Sequence, residues 1–170
     1  MKQILIVDGY NIIGAWSELQ QLKAISLEEA RDRLIDALAD YRSFSGLTVY
    51  VVFDAHQVPG PGGKYVQNGV EVHYTREKET ADERIERLVT ELQDRRTQIY
   101  VATSDMTEQH VVFGRGALRV SARELSIQVE QCRKELRRKL DETAAPTRNT
   151  FDSKLTSELR ALFEKWRRGG

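Results

Sequence analysis

Hydrophobic positions along the chain alternate between two rhythms. The unbroken run Ile4-Leu5-Ile6-Val7, closed by Asp8-Gly9, predicts a buried first strand over residues 3 to 8. Ser26 and Glu29 then form a capping-box pair. Leu27, Ala30, Leu34, Leu38 and Tyr41 recur behind it at helical spacing as far as Gly46, a residue suited to ending a helix. Residues 47 to 54 predict a second strand. The cluster Pro59-Gly60-Pro61-Gly62-Gly63 predicts a mobile loop, ahead of a strand from Val70 to Tyr74 that reads as an edge.

The same alternation continues. Thr80 and Glu83 repeat the capping box before Ile85, Leu88, Val89 and Leu92, which share one helical face. A strand over residues 98 to 103 leads to Ser104-Asp105 and a short helix ending near Gly114. A minor strand near residues 117 to 120 precedes a third capping box, Ser121 with Glu124, and a long helix striped by Leu125, Val129, Cys132, Leu136 and Leu140. Residues 143 to 150 read as a linker. Leu155, Leu159, Leu162, Phe163 and Trp166 then give a final amphipathic helix within residues 151 to 170, ending on Lys165, Arg167 and Arg168. It either docks on the domain or meets a partner. Strands alternating with helices predict an α/β domain over residues 1 to 142 with a mostly parallel sheet.

Composition narrows the class. With 170 residues, 40% hydrophobic and 31% charged, the chain suits one soluble globular domain. No apolar run approaches the roughly 20 residues that span a bilayer, and Met1-Lys2-Gln3 leads straight into a strand, so a cytoplasmic location without a membrane partner is expected. The single cysteine, Cys132, excludes an intramolecular disulfide, and its place in a helical stripe fits core packing. His56, His73 and His110 are scattered, without HExxH or CxxC spacing, which argues against structural zinc.

Net charge is +0, yet residues 1 to 110 carry 12 Lys and Arg against 18 Asp and Glu, while residues 111 to 170 carry 14 against 8. That split either sets an acidic metal rim beside a basic polyanion surface or reflects solvated helix faces.

The candidate chemistry lies in four carboxylates at element boundaries: Asp8, Asp54 and Asp105 after strands, and Asp82 in the first turn of a helix. In an alternating strand and helix fold, the carboxyl ends of parallel strands share one rim where ligands bind. Acids gathered there repel one another, which raises their pKa values unless a cation neutralises them, and hard oxygen ligands suit Mg²⁺ or Mn²⁺. Taken singly, Asp8 is also explained as a turn residue, Asp82 as a helix-start residue and Asp105 as an N-cap; their joint placement favours a metal site. Asp54 binds a second ion or only stabilises its loop. Asn11 is placed to orient Asp8 or a metal-bound water. Lys64, Arg76, Lys78, Arg115 and Arg119 lie on segments that would flank the rim and meet the phosphates of a polyanion, and Tyr10 is placed to stack on a planar ring, although each also has an ordinary surface or packing role.

The strings Val7-Asp8-Gly9-Tyr10-Asn11, Phe53-Asp54-Ala55, Glu79-Thr80-Ala81-Asp82-Glu83-Arg84-Ile85-Glu86 and Ala102-Thr103-Ser104-Asp105 together resemble the NYN branch of the PIN-like nucleases. More narrowly, the chain resembles the bacterial YacP-type, ribosome-associated endoribonucleases. The likeness covers roughly residues 3 to 142, and Glu164-Lys165-Trp166-Arg167-Arg168-Gly169 is in keeping with the narrower group.

The resemblance implies a PIN-like three-layer α/β/α fold and RNA cleavage that depends on Mg²⁺ or Mn²⁺, with no small organic cofactor. It places the metal-binding acids on Asp8, Asp82 and Asp105, with Asn11 and Asp54 at accompanying positions. It further implies that mRNA is cut in connection with a translating ribosome. Two other classes remain open at this level. A receiver domain would use Asp54 as phosphoacceptor with Ser104 nearby, but would normally want paired acids after the first strand, where Asp8 is followed by Gly9. A catalytically silent RNA- or ribosome-binding module would need only the basic carboxyl-terminal part. A phosphate-binding P-loop is disfavoured, because Gly60-Pro61-Gly62-Gly63-Lys64 lacks GxxxxGK(S/T) spacing.

Overall fold

In the computed structural model, residues 1–55, 62–104, 116–143 and Leu162 are described. Strand β1 (Lys2–Asp8) sends alternate side chains into two separate cores. Leu5 and Val7 join one cluster with Leu34, Leu38, Phe44 and Leu125; Ile4 and Ile6 join another with Ile85, Leu88 and Val89. A strand buried on both faces reads as a continuous apolar run, which is the pattern of residues 4 to 7.

Around β1 the chain builds α1 (Gly9–Ala15), α2 (Ser17–Ile25), α3 (Leu27–Ser45), β2 (Thr48–Phe53), β3 (Gly63–Gln67), β4 (Val70–Tyr74), α4 (Ala81–Leu92), β5 (Thr97–Ala102), β6 (Leu118–Val120) and α5 (Ala122–Thr143). The strands form one sheet in the order β3-β4-β2-β1-β5-β6. All neighbours are parallel except β3 and β4. Helices α1, α3 and α5 supply the core on one face and α4 that on the other, so the fold is a three-layer α/β/α sandwich. Fully buried side chains such as Phe53, Ile6 and Leu125 each contribute about 1.5–3 kcal/mol relative to exposure.

The three expected caps form. Backbone N–H groups of Glu29, Glu83 and Glu124 donate to Ser26 Oγ, Thr80 Oγ1 and Ser121 Oγ at 3.2, 3.1 and 3.1 Å. Gly46 closes α3 in the left-handed conformation at φ 77°, as its position predicted.

One stretch is added and two expectations are corrected. Residues 9 to 25, to which the sequence pattern assigned no element, fold as α1 and α2; their short apolar pattern is held by tertiary contacts, including Trp16 Nε1 donating to the Ala122 carbonyl at 2.8 Å. Residues 63 to 67 form strand β3 rather than loop, because Asn68 and Gly69, at φ 54° and 84°, make a two-residue hairpin turn back to β4. Consequently β3, not β4, is the edge.

Of the carboxyl-terminal segment, Leu162 is helical and packs, partly buried, against the core shared by α3 and α5. The rest of the expected linker and final helix, and the short helix expected after Ser104, lie outside the described residues. No helix among those described is long and apolar enough to cross a membrane.

Helices α3 and α5 are joined by Tyr41 Oη donating to Gln128 Oε1 at 2.9 Å and by Cys132 Sγ against the Asp40 carbonyl at 3.7 Å. Burial, with the nearby charge of Asp40, pushes the Cys132 thiol up to about 12. In the native state Cys132 is therefore expected to react with a disulfide reagent at pH 8 roughly a thousandfold more slowly than in the guanidinium-unfolded chain. Equal rates in the two states would show that the α3–α5 contact is open.

Candidate active site

Strand order places a crevice at one end of the sheet. After β1 the chain crosses toward β2, whereas after β5 it continues toward β6, so adjacent strands send their connections in opposite directions. Such a switch point, at the carboxyl ends of the strands, is where open α/β sheets bind ligands. Asp8 is the last residue of β1 and sits at this point, 8% exposed. It occupies the N-cap position of α1 with extended backbone, yet its side chain makes no capping hydrogen bond to that helix. Capping of α1 therefore does not account for the burial of this carboxylate.

The two sides of the crevice are stitched together by Asn11, whose Oδ1 accepts the backbone N–H of Ser104 at 2.7 Å. Asn11 thus fixes the end of β5 against the first turn of α1. Its partner immediately precedes Asp105, which lies outside the described residues, as does Arg115.

Gly9 has an ordinary backbone conformation, so conformational freedom is not its purpose. A Cβ there would lie 2.3 Å from Cε1 of the buried Phe53 ring, and only glycine leaves room. Tyr10 then rests on Phe53, with ring centroids 4.9 Å apart, and its hydroxyl accepts from Arg31 Nη1 at 3.3 Å. Burial raises the Tyr10 pKa above its usual value against the opposing pull of Arg31, and the nearby charge of Asp54 adds to the rise. Asp54 directly follows β2, near enough for its charge to act on Tyr10. Its turn is fixed by buried Thr75, whose Oγ1 accepts the Ala55 N–H at 2.7 Å and whose own N–H donates to the Phe53 carbonyl at 3.0 Å.

Asp82 belongs to the other helix layer. Strand β4 ends on the rim side of the sheet, α4 starts after the short connection that follows, and Asp82 lies in the first turn of α4. The capping role belongs to Thr80. Glu79 anchors this helix start: its side chain is 11% exposed and pairs with Arg87 Nη2 at 2.6 Å and Arg84 Nε at 3.8 Å, while its Oε1 accepts the Arg76 N–H at 3.3 Å.

Lys64 and Arg76 come together in an open groove of about 610 Å³ that also takes in Arg84, Arg87 and the buried His73. Burial holds the His73 pKa below its usual value, with the Arg84 charge acting in the same direction. Lys78 is exposed in the turn before α4, and Arg119 is exposed on β6, at the opposite edge of the sheet from Lys64. On α5, Arg133 pairs with Asp40, and Arg137, Arg138 and Lys139 pair with Glu130, Glu135 and Glu142 on their own helix. For these residues the basic excess is a solvated helix face. Among the described residues, no three His, Cys, Asp or Glu side chains form a group able to hold a metal ion.

The family model of the YacP-like NYN domain matches residues 5–168. The chain belongs to this family. Its sequence is 52% identical over 166 residues to the uncharacterized protein YacP of Bacillus subtilis (strain 168), covering 98% of this chain and 97% of that protein. The fold is similar to the crystal structure of Rae1 (YacP) from Bacillus subtilis, with a TM-score of 0.77, 52% identity, and coverage of 98% of this chain and 95% of that one. It is also similar to a tryptophan-to-leucine mutant of Rae1, with a TM-score of 0.80, 48% identity, and coverage of 99% and 96%. Membership of the NYN family gives a nuclease-type, RNA-related function.

In this YacP-like NYN domain the structure adds Thr75 and Arg31 as positioning residues that sequence reading passed over, and gives a bracing role to Glu79, which the sequence showed only as part of a family string. Thr75 and Arg31 act through partners about 20 residues away in the chain, so neither forms a recognisable local motif. Gly9→Ala is expected to lower stability by about 1–3 kcal/mol through overpacking against Phe53, less a few tenths recovered from helix propensity. Urea unfolding measures this, and a variant as stable as the parent would show that Phe53 gives way freely.

Proposed function

We propose that this protein is a divalent-metal-dependent endoribonuclease that cuts mRNA in association with the translating ribosome. The observation that carries the reading is the buried, non-capping Asp8 at the switch point, tied through Asn11 to the strand end that leads into Asp105. NYN family membership supports RNA as substrate.

The donor chemistry fits a hard cation: carboxylates at a strand end and a helix start, with no thiol nearby. Asp8, Asp82 and Asp105 are the residues that would hold Mg²⁺ or Mn²⁺, with Asp54 beside them. Such an ion supplies water acidification and neutralisation of charge on the scissile phosphate. The chain's own residues bind and orient. Asn11 keeps the two sides of the crevice in register, Tyr10 offers a ring beside Asp54, and Lys64, Arg76, Lys78, Arg115 and Arg119 meet the RNA backbone. The ribosome, as partner, would present the mRNA.

Replacing Asp82 with Asn keeps size but removes one ligand charge. Cleavage is expected to fall at least about a hundredfold, with RNA binding nearly unchanged. In thermal melts Mg²⁺ should stabilise the parent more than the variant, because the ion binds the folded state. Purified parent and variant, given translated and untranslated mRNA with Mg²⁺, Mn²⁺ or EDTA and end mapping, test every part. An active Asp82→Asn enzyme sinks the metal assignment, equal cutting of free RNA removes the ribosome, and RNA binding without cleavage by the parent under any metal leaves a silent binding module.

A further inference from the structure

The rim carries a line of aromatic rings that the cleavage chemistry does not use. Tyr10 tilts onto Phe53 at 4.9 Å, Phe53 stacks with Tyr74 at 5.6 Å and 27°, and Tyr74 stacks with Tyr65 at 5.9 Å and 23°. The line starts two residues after Asp8 and ends on the edge strand β3, where Tyr65 is 44% exposed. Phe53 is buried, and Tyr74 has a ring on either side. Tyr65 is the ring at the open end.

Two features make that end a platform rather than a loose surface side chain. The Tyr65 and Tyr74 hydroxyls share a hydrogen bond at 3.3 Å, so the outer ring is held at both its face and its tip. A ring already fixed loses little conformational freedom when something stacks on it. In addition, Lys64 precedes Tyr65 on the same strand and so faces the other side of the sheet, into the groove where four cations, Lys64, Arg76, Arg84 and Arg87, outnumber the lining carboxylates Glu77 and Glu91, although Arg84 and Arg87 are already paired with Glu79. The edge therefore offers a π face on one side and cationic groups on the other. A single nucleic-acid strand has matching parts, because every base has a face to stack and every linkage carries a negative phosphate.

We infer that Tyr65, backed by Tyr74, is a base-stacking platform for single-stranded RNA crossing the β3 edge toward Asp8, with Lys64 taking a backbone phosphate. This rests on the nuclease reading only for the identity of the occupant. A protein strand pairing with the exposed β3 edge is the competing occupant. It would read backbone hydrogen bonds, for which neither the pinned ring nor the cationic groove has a use.

The test measures binding of the full-length protein to single-stranded RNA bearing 2-aminopurine, in EDTA, across a salt series, with the RNA recovered intact. Tyr65→Leu keeps apolar bulk but removes the π face; the expected loss of affinity is roughly fivefold to a hundredfold. The slope of log affinity against log salt should stay unchanged. Tyr65→Phe should bind within about twofold of the parent, since the face remains. Lys64→Ala should flatten the slope by about 0.7, the value for one phosphate contact on a single strand.

A structural role for Tyr65 would instead move the melting temperature and leave affinity alone. Tyr65→Leu binding like the parent overturns the platform. So does a parent that binds no single-stranded RNA, or a chain that dimerises through β3 and loses that dimer in Tyr65→Leu. If the parent cleaves RNA with Mg²⁺ while Tyr65→Leu binds normally, the platform falls and the nuclease reading stands. If Tyr65→Leu loses RNA while the parent cleaves nothing with any metal, the platform stands and the catalytic reading falls.

Discussion

Burial of β1 between two helix layers is the constraint on which the site depends. Once Ile4 and Ile6 are committed to the α4 side and Leu5 and Val7 to the α3 side, β1 needs a strand on each edge and a helical crossover on each face. Parallel neighbours then bring the carboxyl ends of β1, β2, β4 and β5 to one rim, and crossovers leaving in opposite directions open the crevice at Asp8. A polar substitution at Val7 would do more than weaken the core. It would unsettle the register that puts Asp8 at the strand end.

What the rim demands is stiffness without occlusion. Backbone groups at strand ends need hydrogen-bond partners, and here polar side chains provide them: Asn11 for Ser104 across the crevice, Thr75 for Ala55 between the ends of β4 and β2, and Glu79 for Arg76 within one turn. Each bond contributes on the order of 1 kcal/mol to stability. Their larger effect is positional, since they keep the strand ends and the connections that follow them from relaxing apart. Glu79 illustrates the economy of the arrangement. The same carboxylate that braces the start of α4 also occupies Arg84 and Arg87, so that Lys64 and Arg76 are the groove cations outside that clamp.

The aromatic line gives the rim a second dimension. Phe53 lies fully in the core, yet it touches Tyr10 on one side and Tyr74 on the other, so a single ring couples the α1 start to the hairpin edge. The absence of a Gly9 side chain is what lets that ring sit so close. Packing in the core and the layout of the rim are therefore one problem, solved by the same residues.

Sequence by itself determined the elements whose signals are local. Capping pairs at Ser26, Thr80 and Ser121, the Gly46 stop, the apolar stripes of α3, α4 and α5, and the boundaries near Asp8, Phe53 and Ala102 all follow from period and cap chemistry within a few residues. The family resemblance was legible for the same reason, in short strings around Asp8, Asp54, Asp82 and Asp105. The Asn68-Gly69 pair is a local hairpin signal that the sequence reading left unused beside the Pro and Gly cluster, and β3 was missed with it. Only tertiary structure decided the rest. Asn11 finds its partner 93 residues away, Ala55 is held by a threonine 20 residues on, Gly9 is glycine because of Phe53, and Tyr65 joins Tyr74 across a hairpin. No local period encodes such pairs, because they are fixed by strand order and register, which emerge only when both faces of the sheet are buried together.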